Sequence, residues 1–319
     1  MTLRIAMTGA TGFAGHHVAA ALAAKGFAVR ALVRDEVKAA SIKFAEPVAG
    51  SLADDGALDR LMKGADVVVH LAGAIVAPDL TGFLRTNRDG ARKVADAAVS
   101  AQVKRVIHVS SLAAREPHLS DYGFSKNAGE AVMTEQAGRF SLAILRPPAI
   151  YGPGDRATLP LFTQLTRRFA LIPGTRTQRF SLMYAGDFAR LIANLVGSTW
   201  AGMAEVHDGK SGGYEWADLI LTATSIHGRT VTPIFIPRRF LSGLSSVIRR
   251  GDIPPRGKIG ELYHPDWVCR GEQPDLPDRT RLAEGFRQTL DWYREHGWLP
   301  GGGSADRRRS HHRQGVLAA

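Results

Sequence analysis

An α/β fold with a doubly wound parallel sheet and a smaller C-terminal lobe is what three observations predict for this sequence. Short Val- and Ile-rich runs alternate with longer helical patterns through residues 1–150, as in βαβ units whose strands are buried on both faces. A glycine-punctuated turn, Gly9-Ala10-Thr11-Gly12-Phe13-Ala14-Gly15, follows the first run and opens an Ala-rich helix. After Pro147 the alternation stops, and segments such as RPPAIYGPGD are broken by Pro and Gly. The first half therefore reads as a Rossmann-type dinucleotide-binding domain (1–150). Residues 151–280 read as a substrate-binding lobe, with 185–208 and 281–298 returning to the main body.

The elements follow in order. Strands are expected at Leu3–Thr8, Ala28–Val33, Val67–Leu71, Arg105–Ser110 and Ser141–Arg146. Helices are expected at Gly12–Lys25, Leu80–Ala101 and Asp121–Gly138, with later ones at Ala185–Val196 and Arg281–His296. In such sheets ligands sit at the carboxyl ends of the strands. The final stretch, GGGSADRRRSHHRQGVLAA, offers little to pack and reads as a disordered basic tail (300–319).

Composition narrows the class. The chain has 319 residues and a net charge of +11, from 41 basic and 30 acidic residues. Its single cysteine, Cys269, rules out an internal disulfide framework and fits a reducing compartment. The apolar run Ala65–Ala77 is interrupted by His70 and is too short to span a bilayer. With no charged-then-apolar leader at the start, the expectation is a cytoplasmic protein without a transmembrane helix. The positive excess suits phosphate groups or anionic lipid. The basic residues are not interleaved with aromatics, so nucleic acid is not expected as a partner. The histidines lack ligand spacing and no metal site is expected.

The glycine turn carries the cofactor expectation. Gly9, Gly12 and Gly15 allow a tight turn and let backbone N–H groups approach a pyrophosphate at a helix N-terminus. Arg34, at the end of the second strand, stands where an NAD-selective site commonly offers an acid to the ribose. An arginine there can meet a 2′-phosphate. NADP(H) is therefore preferred and NAD(H) is the alternative, with Asp35 beside it blurring the choice. Any ketone that accepts hydride from such a cofactor becomes an alkoxide and needs a proton donor beside its oxygen. Tyr122 in DYGFSK can serve, with Lys126 one helical turn away. A phenol has an unperturbed pKa of about 10, and a cation at Lys126 would favour the tyrosinate. Ser111 ends the fifth strand at the ligand edge, and Ser110 beside it should face the other way.

Six segments in this order, TGATGFAG, ADVVVHLAG, RTNRDGARKVADAA, HVSS, YGFSK and RPPAIYGPGD, resemble the extended and atypical short-chain dehydrogenase/reductases, the NAD-dependent epimerase/dehydratase group. The resemblance is strong over about the first 200 residues and loose beyond. It implies that Tyr122, Lys126, Ser111 and Asn87 are the catalytic set. Lys126 would also bind the nicotinamide ribose, Ser111 the substrate carbonyl, and Asn87 would support a water relay to the lysine. Cofactor contacts are assigned to Gly9, Thr11, Gly12, Phe13, Gly15, Arg34, Leu71, Ala72, Gly73, Tyr122, Lys126, Pro147 and Ile150. Ser51 stands where relatives usually carry an Asp near the adenine.

One departure bears on substrate. Members acting on nucleotide sugars usually have Asn three residues after the Arg of RPPAIYGPGD; here it is Ala149, which cannot hydrogen-bond a phosphate through its side chain. The form resembles that of members acting on steroid-like or other apolar ketones. The expectation is thus an NADP(H)-dependent carbonyl reductase of a hydrophobic, lipid-like substrate, a 3-keto sphingoid base or keto-ceramide being the specific candidate. A nucleotide-sugar epimerase or dehydratase is the enzymatic alternative, and a non-catalytic assembly subunit the alternative of another class. Asp187 reads as a structural tether between lobe and main body. Segment 237–250, apolar at helical spacing and flanked by arginines, reads either as a lid helix or as an interfacial helix on anionic lipid at the inner face of the membrane. The oligomeric state is open, a homodimer included.

Overall fold

The computed structural model describes residues 2–34, 43–241 and 256–300. Asp35, the 237–250 segment beyond Leu241, and the tail from residue 301 lie outside the described residues. In the first half, β1 (Arg4–Thr8), α1 (Phe13–Ala24), β2 (Ala28–Val33), β3 (Glu46–Ala49), α2 (Asp55–Met62) and β4 (Val67–His70) succeed one another. Next come α3 (Leu80–Leu84), a π-helical turn (Arg85–Asp89), α4 (Gly90–Ser100), β5 (Arg105–Val109), α5 (Asp121–Thr134) and β6 (Ser141–Arg146). The remainder holds β7 (Ala149–Tyr151), α6 (Leu159–Leu165), β8 (Phe169–Pro173), β9 (Arg179–Phe180), β10 (Leu182–Tyr184) and α7 (Ala185–Val196). It closes with β11 (Gly202–Glu205), β12 (Tyr214–Glu215), α8 (Trp216–His227), β13 (Thr232–Ile236), α9 (Arg256–Leu262), β14 (Asp266–Trp267) and α10 (Leu282–Glu295).

The central sheet has seven strands in the order β11-β6-β5-β4-β1-β2-β3, all paired parallel. Every residue of β4 and β5 is buried, because helices cover both faces. On one face Val18 and Leu22 of α1 meet Phe188 and Ile192 of α7. On the other, Leu58 and Leu61 of α2 join Val94 of α4 and Val132 of α5. The chain reverses its winding between β1 and β4, which opens a crevice at the carboxyl ends of these two strands. Three small sheets, β10-β7, β12-β9-β14 and β13-β8, and helices α6, α8 and α10 surround a separate apolar cluster built on Phe162, Phe286 and Tyr293.

The expected strands are present within a residue of their predicted ends, while β3, β11 and α2 were not foreseen. β3 reads Glu-Pro-Val-Ala, and its Pro and exposed positions hide it; Pro is tolerated because β3 is an edge strand. The helix expected over Leu80–Ala101 is divided by the π turn, and the one expected over Asp121–Gly138 stops at Thr134. Asp187, fully buried, accepts hydrogen bonds from Thr280 N (2.8 Å) and Oγ1 (2.7 Å) and from Arg190 (2.6 Å), tying α7 to the strap that leads into α10. No helix among the described residues is long and apolar enough to cross a membrane.

Candidate active site

The turn after β1 is shaped by positions where no side chain fits. Gly9 has φ of 78°, and a Cβ there would lie 2.6 Å from Ala72 N. A Cβ on Gly15 would lie 2.0 Å from the Gly9 carbonyl oxygen. Gly12 N donates to Gly9 O at 3.1 Å, closing the turn, and α1 starts without a side-chain cap. Its first N–H groups therefore point outward without an internal acceptor. This cradle fits a pyrophosphate, and Gly9, Thr11, Gly12, Phe13 and Gly15 are the residues that would hold a nicotinamide dinucleotide. Thr8 Oγ1 accepts from Ala72 N (3.2 Å) and pairs with His70 Nδ1 (2.6 Å), so the turn and the Leu71-Ala72-Gly73 loop form one unit. Arg34 is exposed at the end of β2, which pairs in parallel with β1 and ends beside it, Thr8 standing opposite Leu32.

Four predicted side chains meet at the other end of the crevice. Tyr122 and Lys126 lie on α5, whose N-terminus is capped by Ser120 Oγ accepting from Gly123 N (2.9 Å). Ser111 follows β5 and lines the same cavity as Tyr122, and its Oγ accepts from Ala113 N at 3.2 Å. Lys126 is buried and donates to Val109 O at 2.8 Å. A Cβ built on Gly73 would lie 3.2 Å from Asn87 Oδ1 and 3.6 Å from Lys126 Nζ, so the β4 loop passes directly over both. Pro147 and Ile150 line the same space. Ser110 turns away, as alternation requires, and donates to Glu130 at 2.5 Å.

Asn87 is buried in the π turn, a geometry that rotates a residue off the regular helical face. Its Oδ1 accepts from Ala74 N (2.8 Å), and Nδ2 donates to Ala74 O (3.0 Å) and Ser125 Oγ (2.8 Å). Both amide hydrogens are therefore committed, and only the second lone pair of Oδ1 is left for a water. Asn87 clamps the β4 loop to α5.

The electrostatics differ from the sequence expectation. Burial pushes Tyr122 up to about 12; the Ser111 hydroxyl opposes this and the Glu261 carboxylate adds to it. Although the side chain keeps some exposed surface, it sits deep among neighbouring atoms, and desolvation outweighs the lowering expected from Lys126. Lys126 itself is brought down to about 8 by burial, against the pull of Glu130. A phenol held protonated across the neutral range is suited to giving a proton. Below the sheet edge, His70 and His108 stack at 5.2 Å; burial, with Lys126 nearby, lowers His70 to about 3 and His108 well below its usual value. Both are neutral packing residues, as their strand positions suggested, and no metal-binding group of His, Cys, Asp or Glu forms among the described residues.

Several contributors were not read from the sequence. Glu130, one turn after Lys126, is buried between Ser110 and Arg146, whose Nε donates to it at 2.8 Å; the i, i+4 spacing from Lys126 was the available signal. Phe83 packs on Tyr122 with ring centroids 6.1 Å apart. From α9, Lys258 Nζ lies 5.6 Å over the Tyr122 ring and Glu261 accepts from Ser120 Oγ. No local motif announces these last two, because they arrive from more than 130 positions away. The cavity above Tyr122, Ser111 and Lys126 is about 220 Å³, walled by Leu71, Ile75, Val109, Pro147, Pro148 and Ile150.

A dinucleotide cradle joined to a Ser–Tyr–Lys group on a seven-stranded parallel sheet defines an oxidoreductase of CH–OH and C=O groups that uses a nicotinamide dinucleotide. Residues 5–200 match the model of the NAD dependent epimerase/dehydratase family, and the chain belongs to that family. It is 41% identical over 308 residues to a ceramide reductase of Caulobacter vibrioides (strain NA1000 / CB15N), covering 93% of this chain and 96% of that one. It is 32% identical over 207 residues to a 4-hydroxy-2-methyl-3-oxo-4-farnesyl-3,4-dihydroquinoline-1-oxide ketoreductase of Stigmatella aurantiaca, covering 58% and 59% of the two chains. The Bordetella bronchiseptica enzyme WbmH, solved with NAD+, shares the fold with a TM-score of 0.70 at 17% identity over 93% of this chain and 100% of that one.

Proposed function

We propose that this protein reduces a ketone on a long-chain lipid, a 3-keto sphingoid base or keto-ceramide, with NADP(H) preferred. The observation that carries the reading is that the cavity wall above Tyr122 outside the expected cofactor contacts is also apolar, at Ile75 and Pro148. Ile75 and Val76 extend it outward, exposed at 54% and 70%, on a loop that no folding requirement makes apolar. Ala149, on β7, offers no group to a substrate diphosphate. The similarity to a ceramide reductase over nearly the whole chain supports the same class.

A bound reduced nicotinamide supplies hydride to the carbonyl carbon. Tyr122 gives its phenolic proton to the oxygen as negative charge grows there. Ser111 orients that oxygen by hydrogen bonding. Lys126, anchored on Val109 O, holds the ribose and its positive charge stabilises the tyrosinate left behind. The apolar walls exclude water, which strengthens each of these interactions.

Purified protein with NADPH should convert a keto-ceramide or 3-keto sphingoid base to the alcohol, followed by mass spectrometry, and should leave UDP-sugars unchanged. Conversion of UDP-sugars alone, or binding of NADPH without reduction of any ketone, overturns the reading. Arg34→Ala should raise KM for NADPH about tenfold, the scale of one charge-assisted contact, with KM for NADH nearly unchanged; equal effects on both would remove Arg34 from phosphate recognition.

Glu261 gives a pH test. Its carboxylate raises the Tyr122 pKa, so its removal lowers it. Alcohol oxidation needs Tyr122 to accept a proton and should therefore rise with pH. In Glu261→Gln that rise should begin at lower pH, and an unmoved profile would show that Glu261 does not act on Tyr122.

A further inference from the structure

We infer that the outer face of the β8–β13 sheet is a docking surface for anionic membrane. The two strands pair in parallel with Phe169 opposite Thr232 and Leu171 opposite Ile234. Alternation sends Ala170, Ile172 and Phe235 into the lobe's apolar cluster. It sends Phe169, Leu171 and Ile234 the other way, where they are 53%, 44% and 46% exposed. Beyond β13 the chain turns at Pro237 and presents Phe240, 61% exposed. A contiguous apolar face of this kind on a surface marks an interaction site.

Charge decides the occupant. Arg168 lies over the Phe169 ring at 5.4 Å and Arg239 over the Phe240 ring at 5.4 Å, and Arg229 is held on the Thr166 carbonyl at the foot of both strands. No acidic residue occurs between Asp155 and Asp187, nor between Asp218 and Asp252. Both strands and their flanks are therefore purely basic. A second copy of this chain, at +11, and the chain's own following segment, with Arg249 and Arg250, would bring like charge to the rim. An anionic lipid surface takes the arginines at headgroup level and the aromatic and aliphatic side chains at the acyl boundary.

The inference is independent of the substrate, because binding is measured without turnover. The full chain should float with vesicles of phosphatidylglycerol and phosphatidylcholine, bind pure phosphatidylcholine at least about tenfold more weakly, and lose binding as salt rises. Phe169→Ser with Ile234→Ser should weaken binding to the mixed vesicles by about tenfold or more. Arg168→Glu with Arg239→Glu should abolish the preference for anionic lipid. Unchanged NADPH affinity and thermal midpoint in these variants show that the fold is intact. Failure of the wild type to bind mixed vesicles, equal binding by the variants, or a doubled solution mass that Phe169→Ser with Ile234→Ser abolishes would each overturn the proposal, the last in favour of self-association.

Discussion

Replacing Tyr122 by Phe should lower ketone reduction by about 10²–10⁴-fold, the range that a positioned general acid contributes. The substitution removes one oxygen and leaves the ring packed against Phe83 and beneath Lys258. Ser111 keeps its bond to Ala113 N and Lys126 keeps Val109 O, so the rest of the site has no reason to move. The change should therefore fall on kcat, while NADPH affinity, followed by fluorescence, stays within about twofold, well under the ~1.4 kcal/mol that one tenfold step represents. Turnover close to wild type would show that the proton comes from elsewhere. A parallel loss of cofactor affinity would show that Tyr122 supports binding more than proton transfer.

Gly15→Val should abolish dinucleotide binding and lower the thermal midpoint. Even the first carbon of any side chain here meets the Gly9 carbonyl at 2.0 Å and Ala10 Cα at 2.8 Å. These are backbone atoms of the turn itself, with no flexible side chain to yield. Either α1 moves off the sheet, losing the packing of Val18 and Leu22 on α7, or the turn opens and its N–H groups no longer converge. Overpacking of this kind costs about 1–3 kcal/mol or more, and the displaced turn adds the loss of the anion site. Gly26, whose Cβ would meet nothing within 4 Å but whose φ is 78°, serves as a control: Gly26→Asn should fold and bind normally. Retained NADPH binding in Gly15→Val would mean that the dinucleotide lies elsewhere.

The parallel sheet was legible because a doubly covered strand has to be apolar throughout, as Val67–His70 and Arg105–Val109 nearly are. The dinucleotide turn was legible because only glycine solves its close approaches. Tyr122 and Lys126 could be read because both sit on one short helix face. Other parts of the site leave no such local trace. The π turn depends on how Asn87 bonds to Ala74 and Ser125, partners supplied by the fold. Lys258 and Glu261 reach Tyr122 only after the lobe has folded back. The expected lowering of Tyr122 by Lys126 failed for a related reason: spacing along a helix gives proximity, whereas the balance between desolvation and charge depends on how deeply the whole region is covered.

The π turn at Arg85–Asp89 also leaves a record in the arithmetic of the chain. A π turn amounts to one residue more than a regular helix needs over the same span. Removing one residue within it would leave a continuous helix from Leu80 to Ser100 with no broken backbone ladder. It would also turn everything on one side by about 100° relative to the other. Either Val94 and Ala98 would leave the sheet, or Asn87 would swing away from Ala74. One surplus residue lets a single helix obey two incompatible instructions, one from the core and one from the crevice.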